Sequence, residues 1–215
     1  MQTIAIIDYG SGNLRSAERA VLEAAARAGL SSAVTVTRDA ELVRQADRII
    51  LPGVGAFADC MRGVTSIPGM LEALEETVRQ KGRPFLGICV GMQLMAERGL
   101  EHGEHNGLGW IKGDVVELKP ADSSLKIPHM GWNAVNPAKA SALFPNPGDP
   151  VEEFYFVHSY VLQPADKSVI AASTRHGIDF CSAICSNNLA GVQFHPEKSQ
   201  RAGLALLARF LEWRP

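Results

Sequence analysis

The sequence predicts an α/β fold: an open parallel sheet covered by helices on both faces, with an added antiparallel β layer. Two observations predict it. Through the first half, short apolar β-type runs alternate with segments of helical period, the pattern of parallel strands joined by crossover helices. Beyond Gly109 the texture changes to β-like runs broken by Pro, Gly, Asn and Asp.

In chain order, TIAIID (3–8) reads as a short buried strand, followed by a glycine turn and a helix from about Leu14 to Ala28, with Gly29 as its stop. AVTVT (33–37) and DRIILP (47–52) repeat the strand signal, with ELVRQA between them as a short helical piece. A helix near Met70–Gln80 precedes RPFLGIC (83–89), which ends in a glycine-bordered turn; MQLMAER then reads as helix. GWIKGDVVEL, KIPHMGWNAV, EEFYFVHSYVL, SVIAAST, DFCSAICS and LAGVQFHP follow as strand candidates, and RAGLALLARFLEW closes the chain as an amphipathic helix. No Ser/Gly linker or repeat interrupts this order, so residues 1–215 are expected to form one domain, with a ligand crevice at the carboxyl ends of its strands.

Composition narrows the function. Hydrophobic residues make up 46%, charged residues 20%, and the net charge is -2 with no basic run to track phosphates, so no nucleic-acid partner is expected. The N-terminal MQTIAIIDYG has no basic flank and its apolar run stops at Asp8; neither a signal peptide nor a membrane span is expected. Four cysteines without a secretory signal read as reduced thiols of a cytoplasmic protein.

One of those thiols sits in a reactive pattern. G-I-C-V-G (87–91) follows an apolar strand and precedes a helical sequence, the layout of a nucleophile elbow with cysteine at its tip. Flanking glycines tolerate the tight turn, the helix start favours thiolate over thiol, and the N–H of Val90 is placed to donate to an oxyanion. Alone, the motif equally suits a buried cysteine acting as a small hydrophobe. A nucleophile also needs a base.

Among six histidines, His195 stands out. It ends the apolar run AGVQF and is followed by Pro196 and Glu197 in a stiff segment, so the carboxylate can lie beside the imidazole, fix its tautomer and stabilise its charge. His102 and His105 lie in polar EHGEHNG without further ligands, His176 carries no signal, and His129 and His158 lie in aromatic-rich runs as core or interface residues. Cys181 and Cys185, four apart in a strand, read as core packing; no metal or cofactor is expected. Gly10-Ser11-Gly12 after a strand invites a dinucleotide-binding reading. Arg15 stands where a small residue is wanted, and Asp39 lies too far on for the ribose carboxylate.

GICVGMQ and GVQFHPEKS together resemble the signature pair of the class I, triad-type glutamine amidotransferases, in the same order and over essentially the whole chain. DYGSGNLRS (8–16), LPGVGAF (51–57), PHMGWN (128–133) and FYFVHSY (154–160) resemble, more narrowly, the glutaminase subunits of imidazole glycerol phosphate synthase, which serve histidine biosynthesis. Where many class members carry a Gly-Gly-Pro type segment, this chain has Pro52-Gly53-Val54-Gly55, as those subunits do.

The resemblance implies a flavodoxin-like sheet and a glutaminase in which Cys89 attacks the side-chain amide, His195 moves the proton and Glu197 orients His195. The oxyanion would be held by the N–H groups of Val90 and Val54, and Gly53 and Gly55 would let the Val54 donor be misaligned at rest and aligned when a partner binds its substrate. Gln93, His158, Ser159 and Tyr160 would hold the amino-acid end of glutamine, with Glu101 on its ammonium. Nothing in the chain could use ammonia, so the partner implied is a separate (β/α)8-barrel cyclase forming a heterodimer. His129, Met130 and Trp132 would be exposed to that partner, Lys198 would supply an ion pair, and Tyr155 would border the ammonia passage. Competing readings are a self-sufficient cysteine peptidase or deglycase of similar architecture, and a binding module with a degenerate triad.

Overall fold

Five strands form the parallel half of a nine-stranded sheet: β1 (Gln2–Ile7), β2 (Ser32–Thr37), β3 (Arg48–Gly53), β4 (Phe85–Cys89) and β13 (Leu189–Val192), in the order β2-β1-β3-β4-β13. The computed structural model describes residues 1–122, 124–144 and 151–215. Beyond β13 the same sheet continues antiparallel through β12 (Ile178–Ser186), β11 (Ile170–His176), β8 (His129–Pro137) and β9 (Glu152–His158). A second sheet, β10-β7-β5-β6, comprises β5 (Ala96–Gly99), β6 (His105–Asn106), β7 (Ile111–Glu117) and β10 (Tyr160–Pro164). The antiparallel strands thus mostly extend the parallel sheet, and the added layer is this smaller one.

Local chemistry accounts for the helices. In α1 (Leu14–Arg27), Ala17, Ala20, Val21, Ala24 and Ala25 recur at three- and four-residue spacing and are buried. Gly29, at φ 67°, ends it: its N–H reaches Ala26 O and that of Leu30 reaches Ala25 O, satisfying carbonyls the helix leaves open. α2 (Ala40–Gln45) begins at Asp39, whose carboxylate accepts the Glu41 N–H at 2.8 Å. α3 (Phe57–Thr65), a helix the periodicity does not predict, is followed by α4 (Met70–Leu74), a wider turn at 75–80, and the one-turn α5 (Val90–Gln93). α6 (Gln200–Glu212) packs on α1 and buries Leu206, Leu207, Phe210 and Leu211, each worth about 1.5–3 kcal/mol.

Two expectations are corrected. MQLMAER is not one helix: α5 ends at Gln93, and Ala96–Gly99 is strand β5. Met92, Gln93, Leu94, Met95 and Ala96 are all buried, and a stretch buried on every side carries no apolar–polar period to separate helix from strand. EEFYFVHSYVL is not one strand: it breaks at Ser159 and passes from the large sheet (β9) to the small one (β10).

Candidate active site

The carboxyl ends of β3, β4 and β13 lie side by side, with Gly53 paired to Cys89 and Ile88 to Val192. Cys89 stands at the corner between β4 and α5 with φ 54° and ψ -112°, a backbone that a residue with a side chain adopts only under constraint. Glycines make the corner: a Cβ on Gly91 would lie 1.8 Å from Leu51 O, and one on Gly87 would lie 2.5 Å from Gly91 O. α5 is one turn long, so the dipole anticipated behind the thiol is small. Val90 opens that turn, and its N–H has no partner within the helix.

His195 follows β13 and is fixed from both sides. Its N–H donates to Tyr155 O at 2.9 Å and its carbonyl accepts the Ser199 hydroxyl at 2.6 Å. α6 presses on the same turn through Gly203, where a Cβ would lie 1.9 Å from Pro196 O. The ring Nδ1 lies 2.8 Å from Glu197 Oε1, and the two side chains are only 2% and 3% exposed. Because the carboxylate accepts at Nδ1, the opposite nitrogen carries the lone pair of the neutral ring. That atom, Nε2, is buried and makes no hydrogen bond among the described residues. Burial disfavours the charged ring, but Cys89 and Glu197 outweigh it and the imidazole is pushed up to about 9.

A cleft of about 250 Å³ opens over Cys89, lined also by Val54, Gly55, Val90, Gln93, Glu101 and His158–Tyr160. Each residue expected to hold glutamine therefore lines the cleft that holds the thiol, with three qualifications, the first being that both ring nitrogens of His158 are engaged, with Tyr160 O at 3.1 Å and His129 Nδ1 at 2.9 Å. Glu101 Oε2 already accepts the Phe57 N–H at 2.7 Å, at the start of α3. Gln93 turns its amide nitrogen inward, to Tyr160 O at 3.0 Å and Gln193 Oε1 at 3.1 Å. Val54 is 40% exposed, and its N–H is engaged with Ser11 Oγ at 3.2 Å, while its carbonyl accepts from the Ser11 hydroxyl and, at 3.3 Å, from the Cys60 thiol.

His129 departs from expectation: it is buried, not exposed. Its ring stacks on His176 at 4.2 Å and its Nδ1 meets His158 Nε2 at 2.9 Å, so it is core beneath the strand while its neighbours Met130 and Trp132 are exposed. Burial, reinforced by the neighbouring histidines, lowers His129 to about 4 and His158 to about 3. Trp132 faces the Tyr155 ring at 6.2 Å, and Lys198 Nζ sits 5.7 Å from that ring's centre, so the three form one patch. Asp39 caps α2 and the Ser11 hydroxyl is engaged with Val54, which leaves the dinucleotide reading unsupported. No group of metal-ligating side chains occurs among the described residues.

Sequence reasoning missed Ser11 as a partner of Val54, His176 as a partner of His129, and Gln193, whose Nε2 lies 3.6 Å from Cys89 Sγ. Gln193 carried a signal: it stands two residues before His195 in an otherwise apolar run.

A thiol at a strained strand-to-helix corner, a buried imidazole and a carboxylate behind it, on a parallel sheet, define the class: an α/β protein with a Cys-His-Glu constellation. The sequence matches the family described as Glutamine amidotransferase class-I over residues 5–213. It is 55% identical over 214 residues, 99% of each chain, to the imidazole glycerol phosphate synthase subunit HisH of Brucella suis biovar 1. To that of Caulobacter vibrioides it is 54% identical over 215 residues, 100% of each chain. A crystal structure of a glutamine amidotransferase shares the fold at TM-score 0.70 with 18% identity, over 97% of each chain. The chain belongs to the class-I glutamine amidotransferases and, within them, to the HisH subunits of imidazole glycerol phosphate synthase.

Proposed function

We propose that this chain hydrolyses glutamine through a thioester on Cys89 and passes the ammonia to a (β/α)8-barrel cyclase subunit, in the imidazole glycerol phosphate synthase step of histidine biosynthesis. The cyclase products are imidazole glycerol phosphate and AICAR. Glutaminase activity and the synthase assignment follow from the family; the residue roles and the barrel partner are the proposal.

In the proposed reaction His195 Nε2 takes the Cys89 proton and the sulfur adds to the side-chain carbonyl carbon of glutamine. The Val90 and Val54 N–H groups receive the oxyanion. The carbon–nitrogen bond breaks as the imidazolium returns its proton to nitrogen, releasing ammonia. Water, deprotonated by His195, then adds to the thioester; the carbon–sulfur bond breaks, the sulfur recovers a proton, and glutamate leaves. Gln93, His158, Ser159 and Tyr160, with Glu101, hold the amino-acid end. Met130, Trp132, Tyr155 and Lys198 are the proposed partner face, since exposed aromatics and Met suit an interface. A reducing cytoplasm fits a reaction that needs Cys89 as a free thiol.

One observation carries the reading: the unpartnered, buried Nε2 of His195, its ring held by Glu197 and its charged form favoured by Cys89, which stands at a strained corner. Glutamate release by wild type and Cys89→Ala, with and without the cyclase and its phosphoribosyl substrate, tests it. Release that survives Cys89→Ala, or that ignores the loaded cyclase, contradicts it.

A further inference from the structure

We infer that Gln193 is a fourth side chain of the nucleophile's machinery, donating an amide N–H to Cys89 Sγ and holding the sulfur where His195 can serve it. The inference rests on Cys89 being the nucleophile. It deepens that reading by naming a second group, besides the imidazole, that receives the sulfur's charge.

The amide orientation follows from the acceptors around it. Tyr160 O can only accept, and it takes N–H groups from His158 Nδ1 at 3.1 Å and Gln93 Nε2 at 3.0 Å. Gln93 therefore presents nitrogen on this side and offers its second N–H to Gln193 Oε1 at 3.1 Å. With its oxygen so engaged, Gln193 turns nitrogen toward Cys89 Sγ at 3.6 Å, a normal reach for an N–H donor to sulfur. The Gln193 side chain is wholly buried, so no water competes for that donor, and its backbone is tied to Ser182 O at 2.9 Å.

His158 donates from Nδ1, so its Nε2 accepts from His129 Nδ1 at 2.9 Å; His129 Nε2 then accepts from Asn133 Nδ2 at 3.1 Å. Asn133, next to exposed Trp132, thus begins a chain of neutral donors that fixes Tyr160 O, which fixes Gln93 and so Gln193. A charge-assisted N–H to a thiolate is roughly twice as strong as a neutral one, so the donor favours the anion over the thiol. Gln93 acts here as a positioning residue, through Gln193.

The test follows alkylation of Cys89 by iodoacetamide against pH in the full chain, read on the Cys89 peptide by mass spectrometry, so no glutamine turnover is needed. Gln193→Met keeps the volume without a donor; Gln193→Glu keeps the acceptor for Gln93 and loses the N–H. The half-maximal pH should move up by about one unit in both, slowing alkylation near neutrality about tenfold. The kcat for glutamine should fall with little change in KM. Thermal melts show which variant is folded, and a profile in either folded variant that coincides with wild type overturns the inference. If wild type fails to hydrolyse glutamine while the profiles still shift, the glutaminase reading fails and the Gln193–Cys89 bond stands.

Discussion

The hydroxyl of Ser11 holds both backbone polar atoms of Val54, accepting its N–H at 3.2 Å and donating to its carbonyl. The donor proposed for the oxyanion is therefore committed elsewhere in this structure. Ser11→Ala should free it and raise glutamate release in the absence of the cyclase, by up to about 10²-fold, with KM for glutamine unchanged. Gly53→Ala should change both resting and stimulated rates, since its Cβ would lie 2.4 Å from the Tyr9 hydroxyl. If steady-state assays of both variants matched wild type, peptide realignment at 52–55 would have no role.

Glu197→Gln keeps the shape beside His195 and removes the charge that stabilises its imidazolium. Steady-state kinetics should show kcat lower by roughly 10²- to 10⁴-fold, with KM little altered. A loss under threefold would show that the carboxylate only fills space.

The His195 ring should titrate near 9 in wild type and markedly lower in Cys89→Ala and in Glu197→Gln, because each removes a group that favours the charged ring. Ring-carbon NMR against pH reads this directly. The linkage has opposite signs at two places. His195, raised on folding, contributes stability that is full below about pH 6.5 and lost as pH climbs toward 9. His129 and His158 are lowered, to about 4 and about 3, so they resist the protons the unfolded chain takes up. Stability should fall as pH drops from about 6.5 through 4, and His129→Asn with His158→Asn should flatten that acid limb in thermal melts.

Trp132 is 45% exposed and Met130 62%. Trp132→Ala should weaken binding to the cyclase by about tenfold or more in calorimetric titration, with the resting glutaminase rate unchanged. Equal affinities for wild type and variant would move the partner face elsewhere.

Much of this was legible because the relevant signals are local. The elbow needs small residues on either side of its tip, and His-Pro-Glu needs a carboxylate within two residues of its imidazole; both are written contiguously. The parallel strands were legible because each is a short apolar run ending in a turn. What escaped depends on residues distant in sequence. Nothing near Ser11 foretells a bond to Val54, 43 residues on, and the lone polar Gln193 of its apolar run does not name its partner Cys89, 104 residues back. His129 was misjudged because PHMGWN shows polar and aromatic residues but not which face of β8 each takes. Leu94, Met95 and Ala96 misled for a simpler reason: three successive apolar residues carry no period.

The central claim is that glutamine becomes bonded to the Cys89 sulfur. The most direct measurement is acid quenching of the complex with the loaded cyclase during turnover of isotopically labelled glutamine, followed by peptide mass spectrometry. A glutamyl adduct is expected on the Cys89 peptide, absent in Cys89→Ala and accumulating more slowly in His195→Ala. Glutamate formed at wild-type rates with no label on Cys89, or with label on another residue, would contradict it.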